Sequence, residues 1–227
     1  MNKLVLPLAG IGGASAAAAG GYMVFGRDNK TVSPQIGETF KSKYSQAILS
    51  DNSDLWASKL EALKGNGNPV HQKLAEAKKK AQSETKGVEP SQAKQLLIDG
   101  CKEIYESKLK DSPYVQDFKS YCAKTIKDGI TGTWLAGEHT GSSTKWNQGL
   151  TNLKSQNNDN LDSLLKDLKG KLPSGSGTTT FDDSHRQSLK DWCETSQKEI
   201  FMGETDPRFT NSKSYCLETT QASPQST

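Results

Sequence analysis

Trp56-Ala57-Ser58-Lys59-Leu60-Glu61-Ala62-Leu63-Lys64 and Trp146-Asn147-Gln148-Gly149-Leu150-Thr151-Asn152-Leu153-Lys154 share one frame, with Trp, Leu, Leu and Lys at matching places 90 residues apart. In each, the Trp and the two Leu stand at i, i+4 and i+7, the spacing that puts apolar side chains on one face of an α-helix. Two more blocks recur in the same order. Leu97-x-Asp99-x-Cys101 returns as Leu189-x-Asp191-x-Cys193, and Lys119-Ser120-Tyr121-Cys122 returns as Lys213-Ser214-Tyr215-Cys216. The offsets of 90, 92 and 94 grow slowly, as small loop insertions would make them. Three matched blocks in one order predict two copies of one unit, 40–136 and 137–220.

Helical periods fill the rest of both copies. Leu97, Cys101, Ile104 and Tyr105 share one face, and Val115, Phe118, Cys122, Ile126 and Ile130 read as one continuous stripe. In the second copy Leu161, Leu164, Leu165 and Leu168 form a stripe, as do Leu189, Trp192, Cys193 and Ile200. Helix starts are expected at Asp54, at Ser91 after Pro90, and at Asp183 or Ser184. No long alternating run predicts a sheet, although a short hairpin fits near Ile130–Leu135. Loops are expected at Gly65–Pro69, Gly137–Thr144 and Pro173–Thr180.

The four cysteines are repeat-equivalent, and their spacings of 21 and 23 match neither a zinc pair nor a redox motif. Three connectivities exist. The repeat favours Cys101 with Cys122 and Cys193 with Cys216, each pair tying the arms of a helical hairpin. The competing reading is four reduced core thiols.

Ahead of the repeats, Leu4 to Phe25 is a run of 22 uncharged residues, LVLPLAGIGGASAAAAGGYMVF. As a helix it is roughly 33 Å long, about the hydrocarbon thickness of a bilayer. It reads as an uncleaved signal-anchor, with Tyr22 suited to the headgroup region. A cleaved secretory signal, with Lys3 as its charged start and Ala17-Ala18-Ala19 as its site, is the alternative. The organisation expected is therefore 1–26 transmembrane anchor or signal segment, 27–39 linker, 40–136 and 137–220 helical repeats, and 221–227 disordered tail. The fold class expected is mainly α: an N-terminal hydrophobic helix followed by two repeated small helical units, each holding a cysteine pair able to form a disulfide.

Hydrophobic residues make up 33% of the chain and lie disproportionately in its first 25 residues, so each copy has a thin supply of core. A net charge of +3 argues against nucleic acid as a partner, because phosphate binding needs a concentrated basic face. The densest basic spot, Lys78-Lys79-Lys80, reads as a solvated helix face.

Ser142-x-x-Lys145 and Ser50-Asp51-Asn52 match two motifs of penicillin-recognising enzymes, but in reversed order and with no Lys-Thr-Gly following. His71, His139 and His185 are isolated and read as surface histidines. Asn157-Asn158-Asp159-Asn160 with Asp162 lacks the glycine and closing glutamate of a calcium loop and reads as a capping turn. No catalytic, cofactor-binding or metal residues are expected, and no cofactor. Trp56 and Trp146 read as core. Trp134 and Trp192, without repeat equivalents, are the better candidates for an exposed contact.

Met1-Asn2-Lys3-Leu4-Val5-Leu6-Pro7-Leu8-Ala9-Gly10-Ile11-Gly12-Gly13, Cys101-Lys102-Glu103-Ile104-Tyr105 and the two Lys-Ser-Tyr-Cys endings together resemble an uncharacterised paralogous family of membrane or surface proteins of haemotropic mycoplasmas. The resemblance covers the N-terminal segment and both cysteine blocks and carries no established site residues. It implies surface display, with an antigenic or host-interaction role. The expected function is a non-enzymatic membrane-anchored surface protein, with the bulk of the chain extracellular, or secreted if the leader is cleaved. An adhesin with a specific host cell-surface ligand is the alternative, and a hydrolase of unknown type is a third reading. The expected partners are the membrane, through the N-terminal segment, and that host ligand.

Overall fold

The helices over Leu55–Lys64, Gln92–Glu106, Trp146–Ser155 and Asp183–Gln197 follow the apolar periods read above, whereas the helix over Gln72–Ser83, which buries Leu74, Ala77 and Ala81, is not among those periods. A computed structural model describes residues 37–65, 67–83, 92–141, 144–157, 159–174 and 180–218. The chain divides after Ile36, and Gly37–Thr227 forms one unit. The Leu4–Phe25 segment, the Ser91 helix start, Ser142 and the 221–227 tail lie outside the described residues. Among the described residues no helix is long and apolar enough to cross a membrane.

The first half runs α1 (Phe40–Lys43), α2 (Leu55–Lys64), α3 (Gln72–Ser83), α4 (Gln92–Glu106) and α5 (Val115–Asp117), the last continued by a π-helical turn over Phe118–Cys122. The second half runs α6 (Ile126–Gly129), α7 (Trp146–Ser155), α8 (Ser163–Lys171), α9 (Asp183–Gln197) and α10 (Pro207–Tyr215). Among the described residues no strand forms, and four isolated antiparallel bridges occur. The protein is mainly α with two disulfides, Cys101–Cys122 and Cys193–Cys216. Their Cα atoms are 5.3 and 5.7 Å apart, within the span an unforced bridge needs.

Closing contacts in one half have counterparts in the other. Thr39 bridges Lys108, and Thr125 bridges Ile200; Ile48 bridges Ala123, and Trp134 bridges Leu217. The Phe40 amide donates to the Ser107 carbonyl at 3.3 Å and the Ile126 amide to that of Glu199 at 2.9 Å. Thr39 and Thr125 each begin a short helix with a reciprocal capping box. The indole N–H of Trp56 donates to the Ser50 carbonyl at 2.8 Å, and that of Trp146 to the Gly137 carbonyl at 3.3 Å. Both rings are buried in the core, as their place in the helical period requires.

Asp117 and Asn211 form a further pair. The Asp117 carboxylate accepts the amides of Val70 and His71 where the chain enters α3. The Asn211 side chain accepts the Asp162 amide and donates to the Asn160 carbonyl where the chain enters α8. Buried polar groups need such partners, and these two satisfy backbone groups where the chain enters α3 and α8.

Several local expectations are corrected. Val115 to Ile130 is not one helix: Ala123 is extended, and α6 starts afresh behind its Thr125 cap. The break lets the Lys124 amide donate to the Ala47 carbonyl, a tertiary bond that outweighs the local period. Asp54 makes no side-chain cap; the Ser53 hydroxyl accepts the Leu55 amide instead. The cap of α9 is Asp182, one residue before the expected Asp183, because it forms a capping box with His185. Within the Leu161–Leu168 stripe, Leu164 stands out into solvent at 60% exposure. No hairpin forms at Ile130–Leu135; Trp134 pairs with the distant Leu217.

Ile126, Ile130, Phe201 and Phe209 form a small apolar cluster beside the main cores of the two halves. Ile200 packs against the first core. Lys59 of α2 donates to Asp128 of α6 at 2.9 Å, with only 8% of the lysine side chain exposed. Lys119 reaches both Glu199 oxygens at 3.0 Å.

Candidate binding recesses

Two recesses differ in origin and chemistry. The first arises from one position. In the first half Gly100 of α4 lets α3 approach closely: a Cβ there would meet Leu74 Cδ2 at 3.0 Å and Lys73 Cβ at 3.1 Å. His71 fills the surface above, its Nε2 3.2 Å from Glu103 and its ring edge-on to Tyr114 at 5.0 Å. Lys73 pairs with the same Glu103 at 2.6 Å, and this hydrogen bond lowers the Glu103 carboxyl pKa below the ordinary range.

In the second half the residue at the matching turn of α9 is Trp192. Its indole N–H donates to Asp162 at 3.1 Å, and Arg208 lies over its ring at 5.8 Å. Asp162 also caps α8 by accepting the Leu164 amide, and it meets Arg208 at 3.3 Å. Between α8 and α9 lies a groove of about 300 Å³ lined by Leu165, Leu168 and Trp192, with the exposed Leu164 at its edge. Trp192 itself is buried, with 4% exposure, so the expectation that it stands out as a contact residue is corrected: its face forms a floor. Trp134 is half-buried against both second-half clusters.

The second recess lies on the seam where the halves meet and has a volume of about 650 Å³. The π-helical turn brings Lys119, Ser120 and Tyr121 to it, and the end of α9 brings Thr195, Gln197 and Glu199. Lys127 and Lys198 stand exposed at its margin, with no ion-pair partner among the described residues. Burial first, then the nearby Asp117 charge, pushes the Tyr121 phenol up.

The remaining sequence features serve structure. His71 is buried, contrary to the expectation of a surface histidine, because Gly100 leaves room beneath it. The His185 ring contacts Asp182 and the Lys171 carbonyl, and the His139 carbonyl accepts from the buried Arg186 guanidinium. Lys78 donates to the Gly67 carbonyl at 2.6 Å, while Lys79 and Lys80 face solvent. Asp51 pairs with Lys102 and Lys145 with Glu218, so both residues borrowed from the enzyme-like motifs hold surface ion pairs. Among the described residues no three His, Cys, Asp or Glu side chains converge as metal ligands would.

No protein-family model, curated protein or solved structure matches the chain.

Proposed function

We propose that this chain is a non-enzymatic binding protein displayed on the cell surface, of the kind its resemblance to the haemotropic-mycoplasma family implies. The Leu4–Phe25 segment anchors it, and a tandem of one helical unit forms the displayed part. The observation that carries this reading is the pair of disulfides at equivalent places in the two halves. Such bridges persist outside the reducing cytosol, and small domains with little apolar core depend on them. On this reading the second copy starts at Lys124, ahead of Gly137, because Thr125, Ile126 and Trp134 make the contacts that Thr39, Phe40 and Ile48 make in the first.

An adhesin with a specific ligand is the second reading. The Trp192 groove favours it, since the exposed Leu164 at its edge has no structural use within the chain that burial would reveal. Protease added to intact cells expressing the full chain is expected to remove the helical part, and reduction of the purified protein to add four hydrogens to its mass. Protection of the domain by intact membranes, or four thiols already free, would refute surface display.

A further inference from the structure

Pockets of several hundred cubic ångströms are usually apolar with a few placed polar groups. The seam cavity fits that rule: carbon surface makes up the larger part of its lining, and hydroxyl, amide and ammonium groups of Ser120, Thr195, Gln197, Lys127 and Lys198 are set into it. Three lysines, Lys119, Lys127 and Lys198, line the cavity together with one carboxylate, Glu199. That carboxylate is already occupied by Lys119 at 3.0 Å and approached by Arg208 at 3.9 Å. Lys127 and Lys198 therefore remain as cations without a counter-charge among the described residues. A ligand suited to this lining carries negative charge for the two lysines, hydroxyls for the polar side chains, and an apolar face for the carbon surface between them. A nucleic acid chain would need the basic character to continue along a track, which the net charge of +3 does not supply.

We propose that the seam cavity binds an acidic saccharide, its carboxylate or sulfate group taken by Lys127 and Lys198 and its hydroxyls by Ser120, Thr195 and Gln197. Both halves line the cavity, so neither half alone provides the site. The proposal rests on reading the chain as a binding protein, but purified protein tests it independently of where the chain is displayed.

The test is calorimetric titration of the full chain in detergent micelles with D-glucuronate, D-glucose and sodium sulfate. The first two probes differ only in carboxylate against hydroxymethyl. Saturable glucuronate binding is expected at about 1 mM, with glucose at least about tenfold weaker. The double variant Lys127→Gln/Lys198→Gln is expected to lose about tenfold or more in glucuronate affinity, with its circular dichroism and thermal midpoint unchanged, because both lysines are exposed. Equal affinity for glucose, an unaltered double variant, sulfate binding as tight as glucuronate, or no saturation by about 10 mM would each overturn the proposal.

Discussion

Tyr105 shows how one hydroxyl replaces a backbone contact. In the second half the Leu135 amide donates directly to the Cys216 carbonyl at 2.7 Å. In the first half the Tyr105 hydroxyl stands in between: it accepts from the Leu49 amide at 3.4 Å and donates to the Cys122 carbonyl at 2.6 Å. Tyr105→Phe strands two buried backbone groups and is expected to cost about 1–3 kcal/mol in urea unfolding, with the slope unchanged. Burial pushes the Tyr105 phenol well up, against a smaller opposing effect of the Leu49 amide, and burial also raises Tyr121 and Tyr215. These groups hold their protons more tightly when folded, so their contribution is complete below the unfolded value of about 10 and is lost as pH rises through the folded values. Alkaline melting should begin near that point and be shallower in Tyr105→Phe.

At the scale of elements, Gly100 of α4 lets α3 approach closely. A methyl group on Gly100 gains helix propensity of about 1 kcal/mol but presses on Leu74 and Lys73 at 3.0 and 3.1 Å. A methyl group on Gly170 in α8 would meet nothing within 4 Å. Gly100→Ala should therefore lower the thermal midpoint, while Gly170→Ala raises stability by up to about 1 kcal/mol; the reverse ranking would contradict the packing described. The disulfides act on hairpins of similar size, with separations of 21 and 23 residues. Replacing either cysteine pair by serines should cost roughly 3 kcal/mol, because each bridge restricts a loop of similar length in the unfolded chain. A much larger loss at one pair would show that its half folds only with the bridge in place.

For the whole molecule, the decisive contact between halves is Lys59 with Asp128. Surface ion pairs such as Lys41–Glu106 contribute little, because solvent screens them and long side chains must be ordered to form them. The Lys59 side chain is 8% exposed and that of Asp128 18%. Burial alone would raise the Asp128 pKa, but the Lys59 and Thr125 hydrogen bonds, with the lysine charge, outweigh it and hold the carboxyl below its usual range. A depressed folded pKa contributes stability that is present above the unfolded value of about 4 and is lost as pH falls through the folded value. Asp128→Ala leaves the buried ammonium unpaired and removes the α6 capping box, for an expected loss of about 3 kcal/mol at neutral pH. Its acid unfolding curve should be flatter than the parent's, and a parallel curve would show that the pair does not link the halves.

The recurring blocks of Trp, Leu and Cys, read as a one-dimensional pattern, already contained the helical class, the burial of Trp56 and Trp146, and the favoured cysteine pairing. Those properties follow from side-chain period and from positional equivalence, which neighbouring residues encode. The break at Ala123, the burial of Trp192 and His71, and the coming together of Lys59 and Asp128 were not legible there. Lys59 and Asp128 are 69 residues apart, and Trp192 is 30 from the Asp162 that orients it. Periodicity places a side chain on a face of its own helix but does not say which other helix will meet that face, or how closely. Gly100 and Trp192 each stand one residue before a bridged cysteine, in α4 and α9, yet the first lies under a close helix approach and the second lines a groove, because that outcome depends on the volume left between two packed elements. The seam cavity belongs to the same class: it is made where two halves meet, and only the tertiary structure brings its walls together.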